Sequence, residues 1–178
     1  MSLQNFAQNL KNLVDELNAT READSVLIAT EAIALVRRRV QNEKVDKDGA
    51  AFGQYSQALV PRWYLYDRSN SQGADDRIRN GDWFQSYADL REANGLSSTD
   101  IDFTFSGEMF RNTGVTSVSS QGATVTVEVG GQTDSAQDKL DYQQERYGNI
   151  IALSKEEEEI VAEAYEERIS NLITKFLG

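Results

Sequence analysis

The chain contains no cysteine and no histidine in its 178 residues, and its one proline is Pro61. Without cysteine there is no disulfide, no thiolate metal site and no sulfur nucleophile. Without histidine the commonest general base, the commonest transition-metal ligand and the side chain that titrates nearest neutral pH are missing as well. Positive charge is scarce: 18 Lys+Arg stand against 29 Asp+Glu, a net charge of −11. A surface of that sign repels DNA and anionic membranes on average. The richest apolar stretch, Val26 to Val36, is broken by Thr30 and Glu31 and falls well short of the ~20 residues a bilayer requires. Met1-Ser2-Leu3-Gln4-Asn5 lacks the basic-then-apolar layout of a secretory signal, so cytoplasmic synthesis and no membrane partner are expected.

What is present is periodicity. Leu3, Phe6, Leu10, Leu13, Val14 and Leu17 recur at helical spacing over 2–18. A second helix is expected from about Thr20, as N-cap, to Asn42, with Glu22 and Asp24 in its first turn and Arg37, Arg38 and Arg39 near its negative end. That Arg triplet admits a phosphate contact, but a solvated helix end complementing the macrodipole is the better account in so acidic a chain. From Val45 to Gly81 the periodicity fails around Pro61, although Phe52, Tyr55, Trp63, Tyr64 and Tyr66 are too many aromatics for a disordered linker. A helix over 82–94 follows, with Asp82 as cap and Gly95 as stop. The period then becomes two. Ile101, Phe103 and Phe105 alternate with polar residues as in a half-buried strand, and 114–130 reads as a hairpin turning at Gln121-Gly122. A polar helical stretch over 135–147 closes at Gly148. The last helix opens with a capping box, Ser154 with Glu157, and carries an apolar stripe from Ile160 to Phe176.

The expected fold is therefore α+β, a small antiparallel sheet packed by N-terminal helices and a long C-terminal helix. It is read as one domain over 1–178: a helical pair over 1–44, an extended arm over 45–81, and the remaining helix, strands and C-terminal helix over 82–178.

Catalytic and binding patterns were tested against spacing. Asp46-Lys47-Asp48-Gly49 has the composition of a calcium loop, but an EF-hand needs glycine sixth and a bidentate glutamate twelfth, where this chain has glycine fourth and Gln57 twelfth. An Asp-Gly turn is the simpler reading, with a calcium-stabilised interaction module around Asp46 and Asp48 as an alternative. Asp100/Asp102 and Asp75/Asp76 are carboxylate pairs of the kind glycoside hydrolysis uses. In a chain this rich in acids such pairs arise by chance, and Asp100 and Asp102 fall on the polar face of the expected strand. A hydrolase using Asp100, Asp102 or Asp46 is the enzymatic alternative. There is no nucleophile elbow and no phosphate loop. Trp63 and Tyr64 beside Arg62 and Arg68 have the composition of a single-strand platform, against which the net charge argues. No catalytic residue, cofactor or metal site is expected.

The order of features carries a resemblance. Two helices ending in a basic stretch precede Val45-Asp46-Lys47-Asp48-Gly49-Ala50-Ala51-Phe52. An aromatic-basic excursion and Ile101 to Phe105 then lead into Ser106-Gly107-Glu108-Met109-Phe110-Arg111-Asn112-Thr113. A hairpin, Lys139-Leu140-Asp141-Tyr142, Arg146-Tyr147-Gly148 and an acid-capped helix after Leu153-Ser154 complete the order. This resembles the virion morphogenesis, or tail-completion, proteins of tailed bacteriophages and prophages. Tyr147-Gly148 and Ile150-Ile151-Ala152 stand where many of those proteins carry His-Gly or Pro-Arg-x-Phe. The resemblance implies a non-enzymatic virion protein made in the bacterial cytoplasm, working at the head-to-tail junction or tail end. It implies a homo-oligomeric ring, neck or tail proteins as partners, and passage of DNA past an acidic lumen. The interface candidates are Phe52, Tyr55, Trp63, Tyr64, Tyr66, Met109 and Phe110, on the arm and on the turn over 106–113.

Overall fold

In the computed structural model the described residues are 2–60, 76–77, 79–80, 84–104 and 107–178. The fold is α+β, and the chain divides into two compact units, Met1–Arg37 with Asn112–Gly178, and Arg38–Arg111.

In the first unit, α1 (Leu3–Arg38) is one continuous helix rather than the expected pair. No glycine or proline interrupts Asn18-Ala19-Thr20, and an interior Asn or Thr costs at most about 0.7 kcal/mol relative to Ala. Propagation therefore runs through the expected break. Thr20 caps nothing: its Oγ1 is buried without a hydrogen-bond partner. The hairpin forms as expected from β1 (Thr113–Gln121) and β2 (Thr124–Gly131), antiparallel, with Val118 opposite Val127 and Gln121 opposite Thr124. Its register shifts between Val115 and Ser117. Gly122 takes a left-handed conformation at the turn, φ 61°, and its carbonyl accepts from the Arg21 guanidinium of α1, while Ser120 Oγ donates to Glu22. These bonds tie the hairpin tip to α1.

The polar stretch becomes α4 (Asp134–Tyr147), capped by Thr133, whose hydroxyl accepts from Ala136 N at 3.2 Å. It packs on β2 through buried Ala136 and Leu140. At that junction Gln137 Oε1 accepts from Gly131 N at 2.7 Å, and a Cβ on Gly131 would lie 2.3 Å from Gln137 N. The final helix, α5 (Lys155–Leu177), opens with the expected capping box: Ser154 Oγ accepts from Glu157 N at 3.2 Å and Glu157 Oε2 from Ser154 N at 2.8 Å. Arg168 reaches Asp24 at 3.3 Å and Glu31 at 3.6 Å, and Lys175 reaches Glu16 at 3.3 Å. Later positions of α5 thus meet earlier positions of α1, so the two helices are antiparallel.

The second unit begins with a π-helical turn, Arg39–Glu43, from which the chain leaves through Lys44 at φ 61°. Arg39 is not the solvated cation expected. It is buried and donates to Val45 O at 3.1 Å, which turns a helix end into an anchor for the next loop. Asp46-Gly49 is the expected turn: Asp46 Oδ1 accepts from Asp48 N at 2.9 Å and Ala50 N at 2.8 Å, and Gly49 has φ 82°. Val45 and Ala51 bridge across it. Farther on, α2 (Tyr87–Ala93) and α3 (Glu108–Arg111) are short helices. The cap of α2 is Ser86, so the helix starts later than expected; Asp82 and Trp83 lie outside the described residues.

The strand expected over 101–105 is absent among the described residues 101–104. Only an isolated antiparallel bridge, Gln54 with Asp100, remains, with Ile101 N donating to Gly53 O at 3.1 Å. Phe103 then turns to φ 53° while Asp102 Oδ1 accepts from Thr104 N at 2.8 Å. An Asx-type turn, not a pleat, produces the alternation seen in the sequence.

Gly131→Ala should destabilise the first unit by about 1–3 kcal/mol, because the methyl group meets helix backbone that cannot swing away. Denaturant unfolding of the variant against the wild type measures this; Gly122 and Gly49 provide no such contact.

Candidate functional site

Within the Arg38–Arg111 unit, α2 brings together most of the polar interior. Phe84 and Leu90 form its apolar core, with Val60, Tyr87 and Ala93 packed against them. Ser86 Oγ caps the helix by accepting from Asp89 N at 3.1 Å, and Asp89 Oδ2 accepts from Gln85 N at 3.0 Å. Asp89 also pairs with Arg77 through two contacts at 3.1 and 3.3 Å, and the Arg77 guanidinium lies 4.2 Å from the centre of the Phe84 ring. Burial of the Asp89 carboxyl opposes ionisation. The hydrogen bonds from Arg77 and the Gln85 amide, with the charge of Arg77, outweigh it and hold the carboxyl below its ordinary range.

Two residues beyond Asp89 on α2, Arg91 is 1% exposed. Its Nε donates to Ser97 O at 2.6 Å, Nη1 to Thr104 O, and Nη2 to both oxygens of Asp102 at 2.9 and 3.1 Å. The guanidinium stacks 4.0 Å from the centre of the Tyr55 ring. The Tyr55 hydroxyl donates to Asp102 Oδ1 at 2.8 Å and accepts from Asp102 N at 3.2 Å. Burial, chiefly, and the hydrogen bond donated to the Asp102 carboxylate push the Tyr55 phenol well above its ordinary pKa, net of the lowering effects of the Asp102 amide and the Arg91 charge. A buried charge is tolerated only with such complete pairing. The cluster is a fastening rather than a reactive centre, because each charged group already has its partners.

Beside it an open polar cleft of about 550 Å³ is lined by Gln54, Gln57, Arg77, Asp89, Glu92 and Thr99, among others. Amides and hydroxyls predominate there. Arg77 holds Asp89 ionised there, and the other lining groups offer hydrogen bonds.

The sequence-derived candidates fall in different places. Phe52 is half-buried, edge-on to Phe103 with ring centres 4.7 Å apart, and Tyr55 belongs to the Arg91 cluster. Met109 and Phe110 are buried. Trp63, Tyr64 and Tyr66 lie outside the described residues, as do Arg62, Arg68 and Asp75. Asp102, expected on a solvated polar face, is 15% exposed because Arg91 draws it inward. Its neighbour Asp100 faces Lys44 at 3.5 Å. Asp48 pairs with Lys47 at 2.8 Å, and Asp46 is occupied by backbone amides. Among the described residues no three His, Cys, Asp or Glu side chains are grouped so as to hold a metal ion. Arg77, Asp89 and Arg91 were not singled out by the sequence reading. The available signal was an arginine directly after the apolar Leu90 in a short helix, followed within a dozen residues by acids.

Comparison of the chain with protein-family models, curated proteins and solved structures finds no match.

Arg91→Ala should cost about 3–5 kcal/mol, since it strands Asp102 in a mostly buried position, whereas Tyr55→Phe should cost only about 1 kcal/mol for one lost hydrogen bond. Equilibrium unfolding at neutral pH separates the two. The pH profiles follow from the signs of the shifts. The folded-state pKa of Tyr55 is raised, so its contribution is whole below the ordinary tyrosine value of about 10 and declines as pH rises beyond it. Tyr55→Phe should flatten that alkaline limb. The folded-state pKa of Asp89 is lowered, so its contribution is present above the ordinary carboxylate value of about 3.9 and is lost as pH falls further. Asp89→Asn should remove that part of the acid limb, read from melting temperatures between pH 2 and 7.

Proposed function

We propose that this chain is a structural, non-enzymatic component of a tailed-phage or prophage particle, acting in neck or tail completion or head-to-tail joining through ring-like self-assembly. The observation that carries the assembly part is apolar surface left uncovered on long helices. On α1, Leu3, Phe6, Leu10, Val14 and Leu27 are exposed, and on α5, Ile160, Tyr165 and Ile173. Scattered exposed leucines need no explanation, but helical stripes of them mark surfaces made for contact. No described helix is long and apolar enough to cross a membrane. The phage part rests on the order of motifs that resembles tail-completion proteins. A ring of such subunits presents heterologous contacts between neighbours, and its net charge of −11 per subunit lets DNA pass a lumen without adhering.

The carboxylates that a hydrolase or a calcium module would need are engaged elsewhere, by Arg91, Lys44, Lys47 and the amides of the 46–50 turn. No specific observation favours either alternative.

The test is mass spectrometry of purified particles released by the bacterium that encodes the chain, with light scattering of the pure protein over a concentration series. The expected result is the chain in particles at fixed stoichiometry and a mass above that of the monomer. A protein absent from every particle fraction and monomeric throughout overturns the proposal.

A further inference from the structure

The ion pairs between α1 and α5 fix more than direction. Lys175 meets Glu16, and α5 ends two residues later, at Leu177. In an antiparallel pair that end falls opposite about two residues before Glu16, near Val14. The first three turns of α1 therefore extend past the end of α5. On this overhang Leu3 is 86% exposed, Phe6 46%, Leu10 44% and Val14 48%. Their spacing of three, four and four places them in one stripe, with exposed Ala7 at its middle. The opposite side is polar, with Gln8 Nε2 donating to Asn12 Oδ1 at 2.9 Å.

Charge singles out what can cover the stripe. The chain carries −11 overall, yet residues 1–14 contain no acid, and their one charged side chain is Lys11; the first carboxylate is Asp15. Two copies of so acidic a protein repel each other over most approaches, and like charges brought together in an interface cost several kcal/mol. The overhang is one of several acid-free runs of the chain, 49–66, 109–127 and 168–178 among the others, and it presents an exposed apolar helical stripe on which identical chains can meet without opposing carboxylates. A small residue at the stripe's centre lets two helices come close there, with larger apolar side chains on either side. We infer that the α1 overhang, Leu3 to Val14, packs against the same segment of a second copy, forming a two-fold helical pair through Leu3, Phe6, Ala7, Leu10 and Val14. This rests on the self-assembly reading but requires neither a ring nor a virion.

The absence of cysteine makes a direct test available. Full-length Ala7→Cys should become a disulfide-linked dimer on mild oxidation, because the two central positions face each other whichever way the helices run. Glu163→Cys, on the exposed side of α5, should stay largely uncrosslinked. In sedimentation over a concentration series, the double variant Phe6→Asp/Leu10→Asp should weaken association by about 100-fold or more, having replaced two large apolar side chains per subunit. Both positions are exposed in the single chain, so circular dichroism should report unchanged helix content. Equal cross-linking at both cysteines, or association of the Asp variant as strong as that of the wild type, overturns the inference while leaving assembly through another surface intact. A wild type that pairs through α1 but never enters particles supports the inference and defeats the virion proposal. A wild type that is monomeric at all concentrations defeats the inference itself.

Discussion

The Arg38–Arg111 unit is organised around the buried guanidinium of Arg91. Among the described residues its apolar core centres on Phe84 and Leu90. Beside that core Arg91 engages all three of its nitrogens: one fastens Ser97, another Thr104, and the third takes Asp102 in a two-oxygen grip under the Tyr55 ring. A planar, permanently charged guanidinium can do this where a lysine cannot, because its donors point in several fixed directions at once. Burying it has a large desolvation cost, so the arrangement is stable only when complete. The positive φ of Phe103 and the short bridge of Gln54 with Asp100 are the backbone's accommodation to that requirement.

This is also why the sequence was legible in some places and misleading in others. The hairpin and α5 were readable because their signals are local: alternating valines around a Gly turn, and a Ser-x-x-Glu box ahead of an apolar stripe. The α+β class followed from them. Ile101, Phe103 and Phe105 show the same alternation as a strand, yet Asp102 is held from α2, outside any window that periodicity inspects. The pairing of residues 91 and 102 is a tertiary fact. Thr20 misled in the opposite way. It has the chemistry of a cap, but without glycine or proline nearby the helix had no cause to stop. Of the candidate site, the aromatic arm drew attention to Tyr55 and Phe52, while nothing local marked Arg77, Asp89 or Arg91, whose partners lie at a distance along the chain.

The first unit is built differently. Its long helices are joined largely at their polar margins, by Arg21 and Glu22 to the hairpin tip and by Arg168 and Lys175 to α1. Exposed pairs of this kind add little stability individually; what they supply is alignment. Large apolar side chains such as Leu3, Phe6, Ile160 and Ile173 remain exposed on these helices.

Arg168 grips Asp24 and Glu31 on α1, about two helical turns apart, from a point between them. Sliding α5 toward either carboxylate shortens one contact only by stretching the other, so displacement in both directions meets a restoring force. Glu16 and Lys175 add a second hold farther along the same pair. Mechanically, these polar bonds oppose shear of α1 along α5 while remaining free to exchange with water.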